Sequence, residues 1–167
     1  ARERRGRDSH RSTTQVDFIH PARLGCKYIG EDGQEHTPVL LHRAVTGSTE
    51  RFLAVLIEHY AGAFPAWLAP DQAVIIPIAD RHLDYAKQVE ASLKEKGIRV
   101  FVDGGPERMN AKIRSAQTQK IPYMLVVGDR EMENDQVSLR LRSGENPGAM
   151  SQADFIKLAL DEIEKKV

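Results

Sequence analysis

Hydrophobic and polar positions follow two rhythms along this chain. Through the first third the rhythm is that of strands. In "TTQVDFIHP" Val16 and Phe18 fall on one side and Gln15 and Asp17 on the other, a period of two. "CKYIGEDGQEHTPVLLHRAV" places strand-like runs on either side of "GEDG", a turn cluster with Gly at both ends. That predicts a hairpin, with antiparallel strands ending in "PVLLHRAV". Gly47 breaks the strand. Phe52, Leu56 and Tyr60 then recur at helical spacing until Gly62, with Ser48 placed to cap the helix and Glu50 at its positive end. "FPAWLAPDQ", two prolines around a tryptophan, predicts a stiff extended linker and a domain boundary near Pro70.

Past Pro70 the rhythms alternate. "QAVIIPIAD" reads as a buried strand, with Pro77 near its end because proline cannot donate to a sheet ladder. Asp80 is placed to cap a helix over 81–96, where Leu83, Ala86, Val89 and Leu93 share a face and Gly97 ends it. "IRVFVD" is the next strand, and "GGPER" turns into a helix over roughly 109–119. "YMLVVG" is continuously apolar, as a central strand is. "QVSLRLR" alternates, with Val137, Leu139 and Leu141 inward and Ser138, Arg140 and Arg142 outward. A last helix opens at Ser151 and Asp154, a capping-box spacing, and buries Phe155, Leu158, Ala159 and Ile163. Strands alternating with helices predict an α/β fold with a mixed sheet flanked by helices, preceded by an antiparallel piece. No internal repeat is present.

Composition narrows the picture. The chain has 167 residues and a formal net charge of zero, so any nucleic-acid surface must be a local patch. Hydrophobic residues make up 41%, a globular proportion. No apolar run has the length of a membrane span, and the residues show no pattern of secretory n-region, h-region and cleavage site. The single cysteine, Cys26, excludes an internal disulfide and fits a reducing compartment. These features predict a soluble, cytosolic protein. Residues 1–12, with five arginines and no apolar period, read as a solvated, disordered arm.

The candidate chemistry lies in two places. In "HRAVTGSTERF" Arg51 falls in the first turn of its helix, where a cation opposes the helix dipole unless an anion or an aromatic base lies over it. A surface pairing with Glu50, Glu31 or Asp32 accounts for it equally well. His42 has no His or Cys near it at metal-ligand spacing. Cys26, His20, His36 and His42 match no compact zinc pattern, and one Cys with several histidines does not define a dyad. The glycines of "VVGDRE" and "VDGGPER" form no phosphate loop. In the second half Arg108, Lys112, Arg114 and Lys120 lie on or beside one helix, and Arg140 and Arg142 share one strand face. Glu131 follows the central strand. An Arg and a Glu meeting at one end of a sheet can read base edges, because Arg donates two bonds to guanine and a carboxylate accepts from base N–H groups. A solvated surface with scattered ion pairs is the plain alternative.

The order of motifs resembles threonyl-tRNA synthetase, a class II aminoacyl-tRNA synthetase, in the C-terminal part of a bacterial-type enzyme. "TTQVDF", "HRAVTGSTERF", "LIEHYAGAFPAWLAP", "IPI", "KIPYMLVVGDRE" and "SLRLR" occur in that family's order from about Gly6 onward. "GSTERF" resembles motif 3, and "FPAWLAP" resembles the junction into the anticodon-binding domain. The resemblance implies that residues 1–70 are a remnant of the catalytic domain and 71–167 an anticodon-binding domain.

It also implies residue roles. Arg51 matches the motif 3 arginine that stacks on the adenine of ATP. His42 matches one of three ligands of a zinc ion that grips the amino and hydroxyl groups of threonine. Gln15 and Ser48 match positions near the amino-acid pocket. Arg108, Lys120, Glu131 and Arg140 match residues that contact the anticodon of threonine tRNA. The other two zinc ligands, the motif 2 arginine, the motif 1 dimer element and the editing domain have no counterpart here. His10 stands where the family usually has a pocket Gln, and Pro106 where it often has Asn. The implied full-length enzyme is a cytoplasmic homodimer that joins threonine to its tRNA using ATP with magnesium, with zinc in the pocket and no membrane partner. This chain alone is expected to be inactive, to hold no zinc, and to expose the apolar face of its motif 3 helix. A stand-alone tRNA-binding module or a regulatory paralogue is the alternative.

Overall fold

The computed structural model describes residues 12–166. The arm expected over 1–12 lies outside the described residues except for Ser12, and so does His10. The chain divides into two compact units, Ala1–His59 and Tyr60–Val167.

The first unit is built from strands, as its period of two requires. Strand β1 (Thr13–Asp17) is followed by a single helical turn, α1 (His20–Arg23). Asp17 explains that turn: its Oδ1 accepts the N–H groups of Ile19 at 2.9 Å and His20 at 3.0 Å, and Pro21 follows. β2 (Tyr28–Ile29) and β3 (Glu35–His36) make the short hairpin expected around "GEDG". Gly33, with φ +72°, supplies its left-handed corner. β4 (Leu40–Ala44) pairs antiparallel with β1. Then α2 (Thr49–Tyr60) begins where Ser48 Oγ accepts the N–H of Arg51 at 3.2 Å. Helix α2 buries none of its residues. Phe52 is exposed as expected; Leu56 and Tyr60 are half-buried, and Tyr60 meets Phe64 edge-on at 5.8 Å. Among the described residues of this unit only Asp17 and Pro21 are buried, so it has no hydrophobic core of its own.

The second unit is a five-stranded sheet flanked by helices. β5 (Ala73–Pro77) leads through a 3-10 turn (Asp80–His82) into α3 (Leu83–Glu95). β6 (Val100–Val102), α4 (Met109–Thr118), β7 (Tyr123–Val127) and α5 (Asp129–Glu133) follow. β8 (Gln136–Leu141), β9 (Gly148–Ser151) and α6 (Gln152–Lys165) complete it. The strand order is β6-β5-β7-β8-β9. β5 runs parallel to β6 and β7, while β8 is antiparallel to both of its neighbours, β7 and β9, so the sheet is mixed and β7 is central.

Each face carries its own core. On one, Ile75, Val100, Leu125, Val127, Val137 and Leu139 pack with Ala86, Val89 and Leu93 of α3 and with Phe155 and Ala159 of α6. On the other, Val74, Ile76, Met124 and Val126 pack with Ala116 of α4.

Two expectations are corrected by the fold, and two elements go beyond what was expected. Asp80 does not cap the helix with its side chain; Ala79 holds the cap position, and its N–H is taken by the His82 ring. Neither α5 nor β9 is foreshadowed by periodicity. Lys112 is not a surface cation: it is 5% exposed, and its ammonium donates to the Asp103 carbonyl at 2.8 Å.

Candidate nucleic-acid interface

The four anticodon candidates border the sheet face that carries α4. Arg108 occupies the cap position before α4, in extended backbone, with an exposed side chain. Its carbonyl accepts the N–H groups of Ala111 at 2.8 Å and Lys112 at 3.2 Å, which starts the helix. Arg140 lies on β8 directly opposite Met124. Residues opposite each other on paired strands share a face, so Arg140 and Ser138 stand on the side of Met124 and Val126. Helix α4 packs over β5 and β7 there, and both β8 side chains keep partial exposure.

Glu131 sits beyond the carboxyl end of β7, in α5. Its Oε2 accepts the N–H of Gly128 at 3.0 Å, the reach-back half of a capping box. The expected meeting of Arg and Glu at one end of the sheet is not what the backbone shows. Arg140 lies alongside the first half of β7, and Glu131 lies beyond its last residue.

Lys120 lies at the other end of α4, in left-handed backbone with φ +60°. Its ammonium donates to the carbonyl of Ala61, just past α2. Arg142, expected to face outward, donates instead to the carbonyls of Phe64 and Lys120. Arg99 donates to the carbonyls of Trp67, Ala69 and Pro70, and the buried Gln72 amide donates to Ala66 at 2.8 Å. Residues 61–70 are thus tied to the sheet unit carbonyl by carbonyl. Composition gives no sign of this, because it depends on three separate segments meeting.

Sequence reasoning also missed a cluster at the carboxyl ends of β5 and β7. Arg81 donates from Nε and Nη2 to the two oxygens of Asp129, at 2.9 and 2.6 Å. His82 Nε2 lies 2.9 Å from Asp129 Oδ1. The Arg81 guanidinium, and next the His82 bond, hold the Asp129 carboxyl well below the usual carboxylate range. "VGDRE" follows the central strand, but its partner "DRH" lies almost fifty residues away. Nearby, Lys112 lines a cleft of about 90 Å³ with Asp80, Pro106 and Glu107.

In the first unit, Gln15 and His42 are register partners on β1 and β4 and share a face. His42 Nε2 lies 3.1 Å from Asp17 Oδ2, which also meets His20 Nδ1 at 2.5 Å. Asp17 is buried, and the backbone N–H groups of His20 and Ile19 are the main reason its carboxyl is held well below the ordinary range. Asp17 and His20 are additions to the sequence-derived set. No group of three His, Cys, Asp or Glu among the described residues has the arrangement to hold a metal ion. These residues therefore do not fit zinc by themselves, and Cys26 is exposed without joining them. Ser48 is engaged in capping, and Arg51 is exposed in the first turn of α2.

The chain is similar to known proteins. Residues 72–166 match the family model described as "Anticodon binding domain". The threonine–tRNA ligase of Rubrobacter xylanophilus is 58% identical over 98% of this chain, and that of Desulforamulus reducens is 53% identical over 96%. The chain spans 26% and 25% of those two proteins, about a quarter of the length of the curated relatives it matches. The RNA binding domain of threonyl-tRNA synthetase from Cryptosporidium parvum Iowa II superposes with a TM-score of 0.82 at 33% identity. That match covers 96% of this chain and 41% of the other.

Proposed function

Because this chain belongs to the anticodon binding domain family, we propose that its second unit reads the anticodon of threonine tRNA as part of a threonine–tRNA ligase. The observation that carries the reading is the face of β8 beside α4. A strand inside a packed sheet keeps Ser138 and Arg140 partly open there, with Lys120 leading into β7 at the Arg140 end and Arg108 at the opposite end of α4. Arg140 supplies a planar pair of donors for a base edge, and Glu131 supplies an acceptor for base N–H groups. Lys120 takes part from the carboxyl end of α4, where its ammonium already holds the Ala61 carbonyl.

The division into a catalytic remnant over 1–70 and an anticodon-binding domain over 71–167 belongs to the same proposal. In the full-length ligase Arg51 stacks on the adenine of ATP bound with magnesium, His42 is one of several zinc donors, and Gln15 and Ser48 border the threonine pocket. The ligase acts as a cytoplasmic homodimer. The relatives' shared activity and the "GSTERF" motif support this part.

The test is a titration of this chain with the anticodon stem-loop of threonine tRNA. Arg140→Ala is expected to cost about 1–3 kcal/mol of discrimination at one anticodon base, the usual worth of a good bidentate contact. Equal affinity for all loops before and after the substitution would remove Arg140 from the reading.

A further inference from the structure

His82 is 1% exposed, so it cannot touch RNA, yet both of its ring nitrogens are bonded. Nδ1 lies 3.1 Å from the backbone nitrogen of Ala79, which can only donate. Nδ1 is therefore the acceptor, and the ring proton sits on Nε2. That N–H donates to Asp129 Oδ1 at 2.9 Å. The ring bridges the loop after β5 and the loop after β7.

What it holds is the segment that carries Glu131. Helix α5 has five residues, too few to keep a shape by its own hydrogen bonds. Its orientation depends on Asp129 and on the glycine before it. A Cβ at Gly128 would lie 2.7 Å from Ile78 Cδ1, so the two loops touch at that point. The N–H of the same glycine anchors Glu131 Oε2 at 3.0 Å. Arg81 also grips Asp129, but that pair is open to water, with side chains 65% and 54% exposed. Exposed pairs fix geometry weakly. The dry, singly protonated imidazole is the rigid member.

We propose that His82 is a positioning residue for base recognition: through Asp129 it sets where the Glu131 carboxylate stands. This rests on the reading in which Glu131 accepts from an anticodon base.

The experiment uses the full 167-residue chain, the threonine tRNA stem-loop, and three versions of it with one anticodon base replaced in each. Glu131→Gln comes first and is expected to lose discrimination at one base. If it does not, the role of Glu131 is wrong and the positioning proposal goes with it. Given that loss, His82→Ala should lower discrimination at the same base about five- to tenfold, within the range of one base contact. His82→Gln, whose amide can reach Asp129, should recover most of it. His82→Asn, which keeps an acceptor near Ala79 but falls short of Asp129, should not. Adding His82→Ala to Glu131→Gln should change nothing further. Full discrimination by a folded His82→Ala chain would overturn the proposal while leaving Glu131 in place. Should His82→Ala fail to fold, Asp129→Ala, which leaves no acceptor for the ring N–H, removes the same tie from the exposed side and is expected to give the same loss; retained discrimination there would be equally fatal.

Discussion

The basic side chains of the second unit differ in what their nitrogens already hold. Arg142 and Arg99 are spent on carbonyls of residues 61–70 and Lys112 on Asp103, while Lys120 holds the Ala61 carbonyl from an exposed position that leaves it open to a ligand as well. In the sequence all four look like Arg108 and Arg140. Only the fold separates cations that fasten the chain from cations that face outward. The carboxylates divide in the same way, and this has a pH consequence. Asp129 is held below its ordinary value of 3.8 by Arg81 and His82. A carboxyl with a depressed folded value stabilises the fold above its unfolded value, and that stabilisation is lost as pH falls through the folded one. Thermal unfolding followed from about pH 6 downward is therefore expected to show a stability loss beginning near about pH 4. Arg81→Ala should flatten part of that slope. An unchanged slope would mean that the pair adds nothing in solution.

Elements with a long apolar period were legible from sequence; elements held by contacts were not. Helix α6 was readable because Ser151 and Asp154 signal its start, and Ser151 Oγ does accept the Asp154 N–H at 3.0 Å. Ser151→Ala should destabilise the chain by about 1 kcal/mol, measurable by denaturant unfolding. Phe155 of the same helix is fully buried and meets the Tyr123 ring edge-on at 5.5 Å. Phe155→Ala should cost about 3–5 kcal/mol by the same measurement, because a cavity replaces an aromatic side chain. Helix α5 and strand β9 escaped notice for a physical reason. Five residues of "DREME" and four of "GAMS" are too short to show a period, and each exists because a neighbour supplies its bonds. The Asp80 expectation failed because the turn starts one residue earlier, at Ala79, whose N–H the His82 ring accepts, so Asp80 lies inside the turn.

At the scale of the whole chain, the two units differ in how they are held together. The second has two cores on a sheet covered by helices, whereas the described residues of the first form a two-stranded ribbon, a helical turn, a small hairpin and a helix that buries nothing. Two-stranded ribbons are marginal in water without a packed face. Amides of β1 and β4 are expected to exchange with solvent many-fold faster than those of β5 and β7, by hydrogen exchange. Comparable protection would show that the first unit has support beyond its own strands. The same contrast bears on activity. The chain is expected to show no threonine-dependent pyrophosphate exchange, since no residue in it matches the motif 2 arginine. Detectable exchange would refute that expectation.

By itself the sequence determined the order and type of the long elements, the α/β class and the family. Apolar period, caps and motif order are local properties, and the chain states them directly. The tertiary structure alone decided which charged groups fasten residues 61–70, that Lys112 is buried, and that His82, Asp129 and Arg81 join two strand ends. Each of these depends on residues far apart in sequence meeting within hydrogen-bond distance. A polar side chain carries no mark of its partner until the sheet has brought the two together.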